Sequence, residues 1–131
     1  MVVPDADVVF TGDLFWNHSL PNLIDADTAA QIRTHAVFLH DYPAATFVPG
    51  HGEVGHAADV RAFRGYLLAL RQAITAARSK GEHGAALQQN VLTQLKGSYG
   101  NWTYFDYFAG KNIAQTVAEL AGSKRLPVPA P

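Results

Sequence analysis

Two short segments of this 131-residue chain end in residues able to do chemistry. Thr11-Gly12-Asp13 closes an apolar run, Val8-Val9-Phe10, and Pro49-Gly50-His51-Gly52 closes another, Thr46-Phe47-Val48. Carboxylate oxygen and imidazole nitrogen both bind borderline divalent ions, so an aspartate and a histidine delivered by neighbouring strand ends make half of a metal site. Each has a plainer reading. A Gly-Asp pair at a strand end is a common turn whose carboxylate accepts backbone N–H groups. Glycines on both sides of His51 mark a close-approach loop in which a histidine can be structural. His18, in the segment leaving the Asp13 strand end, is a weaker candidate for metal binding or catalysis, the alternative being a loop histidine bonded to backbone. Glu53 and His56 carry weaker claims as ligands, and His35, His40 and His83 are expected to face solvent in helix and turn positions.

Composition narrows what such a site could serve. Ten basic and eleven acidic side chains leave a formal charge of −1, which gives no electrostatic reason to hold nucleic acid or an anionic membrane. At 48% hydrophobic and 16% charged, the chain suits one compact domain over residues 1–131 that buries roughly two-thirds of its unfolded surface. The absence of cysteine excludes disulfides, thiolate metal sites and a cysteine nucleophile. No apolar run approaches the ~20 residues of a membrane span. Met1 to Asp7 lacks the basic start and apolar core of an export signal, so a cytoplasmic location is the default expectation.

The elements that must position Asp13 and His51 follow from hydrophobic spacing. Val8 to Phe10 reads as a strand buried on both faces, and Leu14 to Leu23 as an apolar loop. Asp25 or Asp27 caps a helix running from Thr28 to about His40. Beyond the second strand, Val60, Phe63, Leu67, Leu70, Ile74 and Ala77 mark a long amphipathic helix, with Arg61, Arg64, Arg71 and Arg78 on a solvated face. A helix through Leu87 to Leu95 is expected to end at Gly97. The aromatic stretch Asn101 to Phe108 then reads as a turn that either anchors a last helix or walls a substrate pocket, with Trp16, Asn17, Trp102 and Tyr104 as pocket candidates. Residues 126–131 form a proline-rich tail expected to be disordered. Two short strands are too few for a stable sheet.

In order and context, Thr11-Gly12-Asp13 followed by Val48-Pro49-Gly50-His51-Gly52 resembles the metallo-β-lactamase superfamily of zinc-dependent hydrolases. Gly-Asp-Leu-Phe-Trp-Asn-His and Asp-Val-Arg-Ala-Phe-Arg-Gly-Tyr-Leu are similar to one branch of it, so the resemblance covers nearly the whole chain. It implies that Asp13 stands where a carboxylate bridges two metal ions, and His51 where an imidazole completes the second site. The family's His-x-His-x-Asp-His signature is absent, and its further histidine would precede Met1. The implied fold is α/β: the C-terminal half of an αββα sandwich, with short β-strands and several covering helices. The implied activity is metal-assisted hydrolysis of a small-molecule ester, lactone, amide or phosphoester, with one or two zinc ions in an incomplete site. A half-sandwich leaves a sheet edge and an apolar face open, so a homodimer is expected. The alternative is a non-catalytic oligomerising module that has lost its metal site.

Overall fold

The computed structural model describes residues 1–126 and has an α/β fold, a small sheet covered by helices. Three strands, β1 (Val2–Val3), β2 (Val8–Trp16) and β3 (Thr46–His51), lie in that order across the sheet. Four helices follow the same chain: α1 (Thr28–Asp41), α2 (Ala57–Ser79), α3 (Gly84–Tyr99) and α4 (Phe105–Leu120). Strands β2 and β3 run parallel, joined by α1 as the crossover, which sends both of their C-terminal ends to one edge of the sheet. β1 pairs antiparallel with β2 and supplies the strand that the sequence pattern lacked. Two valines make too short a run to register as a strand by periodicity.

The second strand differs from expectation in length and burial. Leu14, Phe15 and Trp16 continue β2 instead of forming a loop, because irregularities in its pairing with β3 at Gly12 break the two-residue period. Gly12 adopts a φ of 55°, a left-handed conformation that costs glycine little, and it is where the pairing shifts. Nor is β2 buried on both faces. Val9 and Thr11 are buried, whereas Phe10 between them is 42% exposed. Among the described residues, helices cover one face of the sheet, and the other face carries Phe10 with the half-buried Val8 and Val48. Its edges are more protected than expected. β1 is only two residues long, and the outer side of β3 is paired at Phe47 by both backbone groups of Gly55.

Helix boundaries follow local chemistry. The Asp27 carboxylate accepts from Ala30 N–H at 2.9 Å and opens α1. At α2, Asp59 reaches back to accept the His56 N–H at 2.9 Å. The expected apolar stripe of α2 is buried, joined by Tyr66, and packs against the other three helices and both long strands. Gly97 lies inside α3, which continues to Tyr99, since a single helical glycine costs only ~1 kcal/mol against alanine. Phe105 to Phe108 open α4 rather than closing a turn. Two of the α2 arginines face protein rather than solvent: Arg64 donates to Ile32 O, and Arg71 donates to Glu119 at 2.9 Å. His35 is fully buried, not solvent-facing, because α1 turns it onto the sheet, where Nε2 donates to Leu14 O. The tail beyond residue 126 lies outside the described residues.

Candidate functional site

Parallel pairing places Asp13, near the end of β2, beside His51, the last residue of β3. Asp13 Oδ1 and His51 Nε2 are 3.8 Å apart, and both side chains are open to solvent, 76% and 47% exposed respectively. Gly50 makes the approach possible: a Cβ there would fall 2.1 Å from Asp13 Oδ1 and 2.9 Å from the Gly12 carbonyl carbon. The imidazole is held from one side. The Trp16 ring stacks on it with centroids 3.8 Å apart and planes 28° from parallel, and Asn17 N–H donates to His51 O at 3.0 Å.

The loop after β2 wraps the site because it is pinned at both halves. Thr103 bonds its backbone to His18 and Leu20, which draws the α3–α4 turn against the loop start. Further along, Asn112 of α4 accepts from Leu23 N–H and donates to Pro21 O and to the Tyr66 hydroxyl. This buried network fixes the loop over α4, and burial pushes the Tyr66 hydroxyl well above its ordinary pKa.

Two of the molecule's cavities are bordered by His51. One, of about 450 Å3, is a cleft with a polar wall that includes Asp13, Asn22, Asp25, Gln31 and His51. Gln31 Oε1 is buried there without a hydrogen-bond partner. The other, of about 390 Å3, is an apolar trough lined by Trp16, His51, Tyr104, Tyr107 and Phe108. Trp16, His51 and Phe108 belong to both.

Of the residues singled out from sequence, Asp13, His51, Trp16 and Tyr104 come together here. Three others are placed differently. Asn17 braces the loop after β3, donating to Glu53 O at 2.9 Å. Trp102 packs between Tyr66, Tyr99 and His18, on neither cavity. His18, held at a positive φ of 49°, pairs through Nε2 with Asp59 Oδ1 at 3.2 Å. Phe108, Tyr107 and Gln31 went unselected. The first two were visible only as members of an aromatic run, and nothing in the local sequence marks Gln31.

As metal ligands, Asp13 and His51 suit one ion. A tetrahedral zinc holding an oxygen and a nitrogen at about 2.0–2.1 Å sets those donors about 3.3 Å apart, within a side-chain rotation of the observed spacing. Among the described residues, no group of three or more His, Cys, Asp or Glu side chains is arranged to hold an ion. No helix among them is long and apolar enough to cross a membrane. Compared with known proteins, the chain matches no family model and no curated protein.

Proposed function

We propose that the chain supplies two ligands, Asp13 and His51, to a zinc centre of a hydrolase of the metallo-β-lactamase kind, acting on a small-molecule ester, lactone, amide or phosphoester. The observation that carries this reading is the pairing of a carboxylate and an imidazole 3.8 Å apart, from two adjacent parallel strand ends, at the mouth of a cleft. Zinc, when bound, supplies Lewis acidity and acidifies water toward neutrality. The chain's own residues do the rest. Asp13 and His51 hold the ion, and Trp16 fixes the plane of the imidazole. The pinned loop and Phe108 shape the space in which a substrate is oriented. Catalytic zinc usually takes three protein ligands, so this reading requires at least one donor besides Asp13 and His51. Calorimetric zinc titration is the test. Alanine at either Asp13 or His51 is expected to abolish binding while leaving far-UV circular dichroism unchanged; unaltered affinity in both variants refutes the assignment.

A second reading, a non-catalytic oligomerising module, is favoured by the uncovered sheet face. Phe10 stands 42% exposed between half-buried Val8 and Val48 on a face that no helix among the described residues covers, and a second copy of the chain would bury it. A folded dimer that takes up no zinc supports this reading against the first.

A further inference from the structure

The aromatic trough beside Asp13 and His51 is built differently from an ordinary core. Its walls are four aromatic rings and the His51 imidazole, drawn from the end of β2, the end of β3 and the first turn of α4. Two of those rings stand in solvent, Tyr104 half exposed and Tyr107 at 62%. Neither anchors α4; the buried Phe105 and the partly buried Phe108, packed against the core, already do so. Tyr104 caps α4 with a φ of 65°, a left-handed conformation unfavourable for a bulky residue. Phe108 stands edge-on to Trp16, Tyr104 and Tyr107, so the walls are mutually braced. The Lys111 ammonium sits 3.9 Å from the centre of the Tyr107 ring and steadies it from the neighbouring surface.

The trough is continuous with the polar cleft. Trp16, His51 and Phe108 line both, so a molecule lying across His51 has an aromatic slot on one side and Asp13, Asn22, Asp25 and Gln31 on the other. About 390 Å3 admits a single ring with a short linker and lies at the small end of the ~300–1,000 Å3 of ligand pockets. Flat walls meeting edge to face favour a planar ring over a flexible alkyl chain, because the quadrupoles of aromatic rings pair in that geometry.

From this geometry we propose that the site is specific for small substrates bearing an aryl group on one side of the reacting bond, with the ring seated between Trp16, Tyr104, Tyr107 and Phe108 and the polar remainder in the cleft. The assignment of a reacting bond rests on the metal-centre reading above; the seat for the ring does not.

Phenethyl acetate is a suitable probe, with butyl acetate as its ring-less counterpart. Binding is read from Trp16 fluorescence in a Trp102→Phe background, and by ligand-observed saturation-transfer NMR on the unmodified chain. Both are done in chelator, so that the ring seat is measured without metal. Phenethyl acetate is expected to bind saturably and about tenfold more tightly than butyl acetate. Tyr104→Ala and Tyr107→Ala, both at exposed positions, are each expected to weaken it severalfold, while Arg78→Ala, exposed on α2 and lining neither cavity, leaves it unchanged. Equal affinity for the two esters overturns the proposal, as does unchanged binding in both tyrosine variants. Conversion of a dimer to a monomer by either tyrosine variant also overturns it, since the occupant is then a second copy. Ring binding by a chain that takes up no zinc leaves this seat standing and removes only the metal centre.

Discussion

Gly50 and Asp13 occupy the same space up to a single carbon: a Cβ at Gly50 would sit 2.1 Å from Asp13 Oδ1. The glycine before His51 therefore does more than permit a turn. It lets the carboxylate of one strand lie against the backbone of the next, on the side from which His51 approaches. Gly50→Ala should push the Asp13 carboxylate away from the imidazole and strain the backbone near Gly12. The expected outcome is zinc affinity lowered by at least about tenfold, with stability lost by ~1–3 kcal/mol from overpacking. Calorimetry and urea melts on the one variant separate the two effects, and undiminished zinc affinity would show that the approach of Asp13 to His51 is irrelevant to the metal.

Metal stoichiometry tests how the remaining ligands are supplied. If a two-fold axis near the strand ends brings the Asp13–His51 pair of one chain to that of its partner, two carboxylates and two imidazoles close a tetrahedral shell around one ion, a structural site that admits water only when one ligand is displaced. Native mass spectrometry should then find one zinc per two chains, lost together with the dimer when His51 is replaced by alanine. One or two ions per chain, or zinc on a monomer, excludes the shared site.

The open sheet face makes a separate prediction about assembly. Phe10→Lys places a charge among Val8, Val48 and the bare face without touching the helix-covered side. Sedimentation should show a dimer for the unmodified chain at micromolar concentration and a monomer for the variant, with helicity unchanged. A stable, non-aggregating monomer in the unmodified chain removes the dimer from both functional readings.

What the sequence made legible depended on whether the physics was local. The α2 stripe from Val60 to Ala77 repeats a single face for about five turns, and the cap at Asp27 is set by one carboxylate and a nearby N–H, so both were readable. The ends at Asp13 and His51 were readable because a glycine and an ionisable side chain follow each apolar run. Trp16 as a strand residue was not, since the bulge at Gly12 destroys alternation just before it. The cavity walls were harder still. Phe108 meets Trp16 only after Thr103 and Asn112 tie the loop to α4, through bonds spanning more than eighty residues. Trp102, in the same aromatic run, is turned by those ties onto Tyr66 and away from the cleft.

Away from the site, the strongest polar tie is the one joining α1, α2 and α4. Glu119 accepts from Thr28 N–H at 2.7 Å, from the Thr28 hydroxyl, and from Arg71 at 2.9 Å, with its side chain only one-tenth exposed. Removing the carboxylate takes the anionic partner from a guanidinium that keeps the Thr28 hydroxyl, and leaves an N-terminal helix N–H without its acceptor. Glu119→Ala should therefore cost ~3 kcal/mol or more in chemical denaturation, whereas replacing both partners with apolar residues, Arg71→Met with Glu119→Leu, should cost much less. A Glu119→Ala loss no larger than that of the double variant would show that the tie is solvated in practice.

His35 predicts how stability varies with pH. Because Nε2 donates to Leu14 O, Nδ1 carries the lone pair in the neutral ring, and that atom is buried without a partner. Adding a proton to Nδ1 would bury a cation and an unmatched donor, with the Arg64 charge nearby. Burial therefore lowers the His35 pKa below its ordinary 6.5, only partly offset by the bond to Leu14 and reinforced by Arg64. In the unfolded chain the ring titrates near the ordinary value. Below that pH the unfolded state holds a proton that the folded state refuses, so stability falls as pH drops. Above it both states are neutral and the contribution is constant. The limiting slope for one such group is ~1.4 kcal/mol per pH unit, beginning near pH 6.5 and continuing down to the lowered folded value. His35→Gln keeps a donor for Leu14 O and removes the titration. Urea melts from pH 7.5 to 5.0 should show the unmodified chain losing stability more steeply than the variant below pH 6.5, and in parallel with it above. Identical profiles would mean that His35 takes up its proton in the folded state as readily as in the unfolded one.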